Sequence, residues 1–196
     1  DVLSQGPFVL GFFFDFEKRH LSSNKAVLKP IELSVVSHSS GENTLSSLLD
    51  PEEVIAPISI LSEAAAATGF INTVKDRDGI LRTTPVLMKH NGKIYPNLGL
   101  ATLWAGLGKP SVVIKITEGG VESLRIGNSV VPLNRNGRFT LHFKGKQHSF
   151  PYHSAADVLN NKVNKGELNG KILLVGTSAA GLEDLRTTPL DAYFPG

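Results

Sequence analysis

The chain has 196 residues, of which 41% are hydrophobic and 19% charged, and its formal net charge is +2. Its mean hydropathy is zero, which is typical of a globular domain and not of a disordered chain, and its length predicts one domain over residues 1–196. The near-balance of 20 basic and 18 acidic residues argues against nucleic-acid binding. The absence of cysteine excludes disulfides, thiolate metal ligands and a cysteine nucleophile.

The first 70 residues predict strands and short helices. The continuous apolar run "PFVLGFFF" indicates a buried strand. Asp50 before a proline and two acids has the form of a helix start, and Ser62 before four alanines and a glycine has the same form. We therefore predict a buried strand at 8–14, either a strand or a surface loop at 31–37, a loop at 38–50, a helix from Asp50, and a helix at 62–69.

The middle of the chain predicts turns, one longer helix and a series of strands. The Asp-Gly of "KDRDG" lies between two extended runs and indicates a hairpin turn at 76–79, and "NGK" indicates another at 91–93. "NLGLATLWAGLG" predicts a helix at 97–108, capped by Asn97. After residue 110, short β segments separated by glycine turns predict antiparallel strands.

The C-terminal region predicts a short helix and a buried strand. Ser154, with Asp157 three residues later, predicts a capped helix at 154–161. "KILLV" at 171–175 is apolar on both faces, which predicts a central strand covered on both sides. The sequence thus predicts an α/β fold with α+β character: a mixed sheet with a buried central strand, helices packed on it and an antiparallel hairpin portion.

The pentapeptide Leu-Arg-Thr-Thr-Pro occurs twice, at 81–85 and at 185–189. The flanking sequences do not match at this offset, so we predict no internal duplication. Each copy follows acidic residues. Two arrangements stay open: local salt bridges of Asp78 with Arg82 and of Asp184 with Arg186, or a single site where the two copies meet.

The glycine-rich turn Gly176–Gly181 carries the residues closest to an enzymatic pattern. It fits neither the dinucleotide pattern G-x-G-x-x-G nor the nucleophile pattern G-x-S-x-G, and no histidine follows Ser178. The histidines do not have zinc-site spacing, and "DRDG" lacks the further ligands of a calcium loop. We predict a non-catalytic domain without metal or cofactor. The alternative is a small-molecule hydrolase or nucleotide-binding α/β enzyme that uses this turn.

An ordered series of segments carries a family resemblance over about 130 residues. The segments are "GFINTVKDRDGILRTTPVL", "YPNLGLATL", "VPLNRNGRFTLHFKG", "YHSAADVLNN" and "LNGKILLVGTSAAGLEDLRTTPLDAYFPG". The series resembles the CHASE domain of the second type, the cyclases/histidine kinases associated sensory extracellular domain. From the comparison with that family, we expect the chain to be trimmed at both ends from a longer membrane receptor.

The resemblance implies a sensory input domain on the periplasmic or extracellular face of the bacterial cytoplasmic membrane. It implies a membrane-anchored parent with a cytoplasmic histidine kinase, nucleotide cyclase or other kinase. We expect this parent to be a homodimer that responds to an unknown small ligand or extracellular protein. For a small ligand we expect a site at the carboxyl end of strand 171–175. Its candidate residues are Asn72, Asp78, Arg82, Thr177, Ser178 and Asp184.

Overall fold

The computed structural model describes residues 2–17, 27–37, 45–146, 149–177, 185–192 and 194–195. The chain divides into two units. The first consists of Asp1–Val74 and Thr83–Thr140, and the second of Lys75–Arg82 and Leu141–Gly196. The prediction that residues 1–196 form one domain stays a prediction.

Short strands outnumber helices in the described residues. The strands are β1 (Val9–Asp15), β2 (Ser34–Ser37), β3 (Glu53–Ile55), β4 (Ala67–Phe70), β5 (Thr83–Pro85), β6 (Leu87–His90), β7 (Lys93–Pro96), β8 (Val112–Thr117), β9 (Gly120–Ile126), β10 (Ser129–Pro132), β11 (Arg138–Thr140), β12 (Leu185–Arg186) and β13 (Phe194–Pro195). The helices are α1 (Ser59–Ala64), α2 (Leu98–Gly106), α3 (Ala155–Leu159) and α4 (Lys165–Leu168), with a 3₁₀ turn at Leu3–Gln5.

The buried central strand of the first unit is β1. It pairs in parallel with β4 and antiparallel with β3, which gives a mixed sheet in the order β3-β1-β4. Phe12 and Phe14 point into an aromatic cluster with Phe70, Met88 and Tyr95. Burial of each such side chain contributes about 1.5–3 kcal/mol. The predicted strand at 8–14 is therefore confirmed.

Helix α2 packs on this sheet where the strands carry glycine. A Cβ atom on Gly69 would lie 2.6 Å from the Cα atom of Leu98, so only glycine permits this approach. Asn97 caps the helix as predicted, because its Oδ1 accepts from the Leu100 N–H at 2.8 Å. The helix predicted at 97–108 is confirmed, with its end at Gly106.

A second sheet of the first unit has the order β10-β9-β8-β2. Every second residue of β8 is buried, namely Val112, Ile114 and Ile116, as expected of a strand with one face on a core. These side chains belong to the larger core cluster of the unit. The antiparallel strands predicted beyond residue 110 are confirmed in β8, β9 and β10, and the turn predicted at 91–93 joins β6 to β7.

Three local predictions in the first half are wrong because tertiary pairing overrides local signals. The residues after Asp50 form β3, which pairs with β1, and not a helix. Ser62 lies buried inside α1 and caps nothing, and the helix ends at Ala64 so that β4 can pair with β1. The turn at 76–79 exists, but β4 and β5 on either side of it pair with β1 and β11 and not with each other.

The second unit departs most from prediction. Residues 171–175 form no strand, and the side chains of Ile172 to Val175 are 55–96% exposed. The predicted buried central strand at this place is therefore wrong: an apolar run becomes a strand only where another strand pairs with it, and none does so among the described residues. Helix α3 confirms the helix predicted at 154–161, although Ser154 makes no side-chain cap bond.

The fold class is the predicted one. The described residues form mixed and antiparallel sheets, with helix α2 packed on the mixed one, which is an α/β fold of α+β character. None of the helices in the described ranges is both long enough and apolar enough to cross a bilayer.

Candidate functional site

The segment Asp76–Arg82 of the second unit forms a closed turn. The Gly79 N–H donates to the Asp76 carbonyl at 2.9 Å, and the Asp76 N–H donates to the Ile80 carbonyl at 3.0 Å. Gly79 has a φ of +80°, which favours glycine. The Asp78 carboxylate accepts from the Ile80 N–H at 3.1 Å. The Asp-Arg-Asp-Gly sequence is thus explained by turn formation.

Arg82 binds both carboxylates of this turn. Its guanidinium makes a two-bond contact with Asp78, at 3.0 and 2.8 Å, and a third bond to Asp76 at 2.8 Å. The hydrogen bond from Arg82, followed by that from the Ile80 backbone, lowers the pKa of Asp78, and both carboxylates raise the pKa of Arg82. The predicted Asp78–Arg82 pair is a local salt bridge, extended by Asp76.

The two Leu-Arg-Thr-Thr-Pro copies meet through their backbones. The Leu81 N–H donates to the Thr187 carbonyl at 2.8 Å. In the second copy, the buried Thr188 hydroxyl accepts from the Asp191 N–H at 3.0 Å, and the Thr188 N–H donates to the Asp191 carbonyl at 2.8 Å. The second copy therefore closes a turn of its own while it pairs with the first.

Asn72 belongs to the first unit and binds the backbone of β1. Its Oδ1 accepts from the Phe14 N–H at 2.8 Å, and its Nδ2 donates to the Phe14 carbonyl at 2.7 Å. The residue is 5% exposed. The Asn72 amide thus continues the β1–β4 pairing two residues past the end of β4, which is a structural role.

The remaining predicted site residues lie at or beyond the end of the 171–177 segment. Thr177 is exposed and belongs to no strand. Ser178, Asp184 and Gly181 lie outside the described residues, and so does the predicted contact of Asp184 with Arg186. The structure thus describes Asn72 in the first unit and Asp78, Arg82 and Thr177 in the second. A ligand site formed by the six residues stays a prediction.

The described histidines have protein partners. The Nδ1 of His90 lies 2.8 Å from the Pro51 carbonyl and its Nε2 lies 3.0 Å from the Asn91 amide nitrogen. His153 Nε2 lies 3.3 Å from Glu167. His20, His38 and His148 lie outside the described residues. Within the described part of the chain, no three His, Asp or Glu side chains form a group able to hold a metal ion.

No pattern in the local sequence indicates that two basic residues, Lys29 and Arg138, are half-buried. The Lys29 ammonium donates to the Glu63 carbonyl at 2.9 Å and also to the Ala65 carbonyl, at the C-terminal end of α1, where cations are favoured. Arg138, at the start of β11, buries its Nε atom. The Lys29 contacts join residues 34 and 36 positions apart, so periodicity and turn signals could not reveal them.

The described residues form a mixed sheet and an antiparallel portion in the first unit and the turn closed by Arg82 in the second, and no catalytic constellation occurs among them. A family model of the CHASE2 domain matches residues 3–196, essentially the whole chain. The chain therefore belongs to the CHASE2 domain family, whose members are sensory extracellular domains of signalling receptors. No curated protein and no solved structure matches the chain.

Proposed function

We propose that the chain is the signal-input domain of a bacterial transmembrane receptor and lies on the outer face of the cytoplasmic membrane. The observation that carries the proposal is the match of the CHASE2 family model to residues 3–196. The output module of the receptor would be a histidine kinase or a nucleotide cyclase. The domain itself is non-catalytic.

The mechanism we propose is a shift between two conformations of the domain. A ligand or an extracellular partner that binds one conformation better shifts the equilibrium by its difference in binding free energy. The shift passes through the membrane segments of a homodimeric receptor to the output module. For a small ligand, Thr177, Ser178 and Asp184, with Asn72, Asp78 and Arg82, stay the proposed contacts.

The proposal is tested by unfolding the domain within the whole receptor. Phe14 is fully buried and its neighbour Phe13 is 41% exposed, so Phe14→Ala and Phe13→Ala form a matched pair. We expect the Phe14→Ala receptor to keep its kinase or cyclase activity but to lose control of it, while Phe13→Ala behaves as wild type. Wild-type regulation in both receptors, with the domain of the first shown to be unfolded, would contradict the proposal.

A further inference from the structure

The chain contains three Asn-Gly dipeptides, and each is followed by a basic residue. They are Asn91-Gly92-Lys93, Asn136-Gly137-Arg138 and Asn169-Gly170-Lys171. In an Asn-Gly dipeptide the backbone attacks the asparagine side chain easily, because glycine has no Cβ atom to hinder the approach. Since the three local sequences are nearly the same, a difference in their reactivity must come from the fold.

The reaction is an intramolecular substitution that needs water and no cofactor. The glycine nitrogen attacks the Cγ atom of the asparagine and gives up its proton to a base, and the side-chain nitrogen takes up a proton and leaves as ammonia. The product is a five-membered succinimide ring. Water then opens the ring at one of its two carbonyls, which gives aspartate or isoaspartate. A neutral amide is thus replaced by a negatively charged carboxylate.

The fold controls this reaction in two ways. A hydrogen bond from the glycine N–H holds the proton that the attacking nitrogen must lose. The backbone must also rotate until the glycine nitrogen faces the Cγ atom, because only correctly oriented groups react quickly within one molecule. A dipeptide whose backbone is fixed by pairing or packing therefore reacts slowly.

Asn136-Gly137 is restrained in both ways. The Gly137 N–H donates to the Asn134 carbonyl at 2.9 Å, and the Asn136 N–H donates to the Asn134 side chain at 3.0 Å. Gly137 is buried, and a Cβ atom on it would lie 2.6 Å from the Leu48 side chain. Rotation at this place would break the turn and disturb the core.

Asn91-Gly92 is restrained by the hairpin of β6 and β7. Both residues have a positive φ, +49° and +74°, which is typical of a tight two-residue hairpin turn. The flanking residues His90 and Lys93 pair directly. The Nδ2 atom of Asn91 also lies 3.0 Å from the Nε2 atom of His90. Ring closure would therefore distort a paired turn and release the side chain from its contact.

Asn169-Gly170 lies in a turn with much weaker restraints. Both residues are exposed, and helix α4 ends one residue earlier, at Leu168. Within the described residues the Gly170 N–H makes no hydrogen bond. The Lys171 N–H donates to the Leu168 carbonyl at 3.4 Å, which is longer than an ordinary backbone bond. A Cβ atom on Gly170 would meet nothing within 4 Å, so there is open space around this backbone.

We propose that Asn169 is the principal deamidation site of the folded chain. The modification places a carboxylate two residues before Lys171. As isoaspartate, it also lengthens the backbone by one methylene group just before the exposed run from Ile172 to Val175. The reaction is independent of the proposed sensory role, because it uses the chain's own backbone and water.

The three dipeptides are compared within one sample of the chain. The folded chain is incubated in mildly alkaline buffer made with H₂¹⁸O and digested in ordinary water, so that the label marks conversions that precede digestion. Mass spectrometry after chromatography quantifies the aspartate and isoaspartate peptides of each dipeptide over time. We expect Asn169 to be converted at least about tenfold faster than Asn91 or Asn136. In guanidinium chloride the three rates should converge, because unfolding removes the restraints.

Variants assign the first product to its residue. Asn169→Gln keeps the amide but would need a six-membered ring, so the first deamidation product should disappear. The matched Asn91→Gln should retain it. Conversion of Asn91 or Asn136 as fast as that of Asn169 in the folded chain would overturn the proposal. An Asn169 that stays intact in the folded chain but reacts in guanidinium chloride would overturn it as well. Both outcomes are read from the wild-type chain, so they do not depend on the folding of a variant.

Discussion

The two units of the chain hold their structure by different means. The first buries an aromatic cluster around Phe14 and a larger aliphatic cluster around Ile114. In the described part of the second, Leu81 and Thr188 are buried, and the observed contacts are turns, backbone hydrogen bonds and the Asp78–Arg82 pair. Hydrophobic burial contributes far more to stability than exposed ion pairs do. The difference predicts a stable first unit and a second that responds easily to its surroundings.

The largest expected effect is in the aromatic cluster. Phe14→Ala should cost about 3–5 kcal/mol of unfolding free energy, because it removes a fully buried ring and leaves a cavity. Phe13→Ala, one residue away on the exposed face, should cost no more than about 1 kcal/mol. Denaturant unfolding of both variants measures the difference, and equal losses would contradict the described orientation of β1.

A smaller loss is expected for Asn72→Ala. The variant leaves the Phe14 N–H and carbonyl without partners in a buried place, which should cost about 2–3 kcal/mol. Asn136→Ala, in an exposed turn of the same unit, should change the free energy by no more than about 0.5 kcal/mol. A loss for Asn72→Ala as small as that of the control would mean that the bonds of the Asn72 amide to the Phe14 backbone do not stabilise the fold.

The Asp78–Arg82 ion pair of the second unit should make the stability of the folded chain depend on pH in the acid range. Arg82 lowers the pKa of Asp78 below 3.8. The pair therefore stabilises the folded chain at pH values above the pKa that Asp78 has in the unfolded chain. This stabilisation is lost as the pH falls through the pKa that Asp78 has in the folded chain. A carboxyl NMR titration should place the Asp78 midpoint below 3.8. Arg82→Gln should raise the midpoint, whereas Arg125→Gln should leave it unchanged. An ordinary midpoint in the wild-type chain would contradict the pair.

The smallest effect is expected in the exposed run of the second unit. Val175 is 96% exposed, so Val175→Ser should change the unfolding free energy by no more than about 0.5 kcal/mol. Ile114→Ser, in the larger core cluster, should cost at least about 3 kcal/mol. If Val175→Ser proves as costly as Ile114→Ser in the same unfolding assay, residues 172–175 are buried in solution and the comparison between the units fails.

Sequence patterns identified the elements whose structure is decided locally. Helix α2 follows from the Asn97 cap and its apolar run, and the antiparallel strands from their alternation and glycine turns. Asp50 and Ser62 carried equally good local signals for the start of a helix. The pairing of β3 and of β4 with β1 determined the structure of the segments that follow them. The run at 171–175 has the composition of a strand without a described partner strand. Which residues pair is a long-range property that no single segment encodes.

The candidate site shows the same limit. The contact of Asp78 with Arg82 spans four residues and was predictable from spacing. The Leu81–Thr187 bond and the two bonds of Asn72 to Phe14 join residues 58 or more positions apart, and no pattern in either segment indicates its partner.

The most direct test of the central claim concerns the side of the membrane on which the domain lies. Alkaline phosphatase, which needs disulfides and so works only in an oxidising compartment, is inserted between Glu118 and Gly119 of the full-length receptor, at the exposed turn between β8 and β9. If the domain is extracytoplasmic, the inserted phosphatase is active, and a fluorescent reporter inserted at the same position does not fluoresce. An inactive phosphatase with a bright fluorescent reporter would place the domain in the cytoplasm and contradict the account.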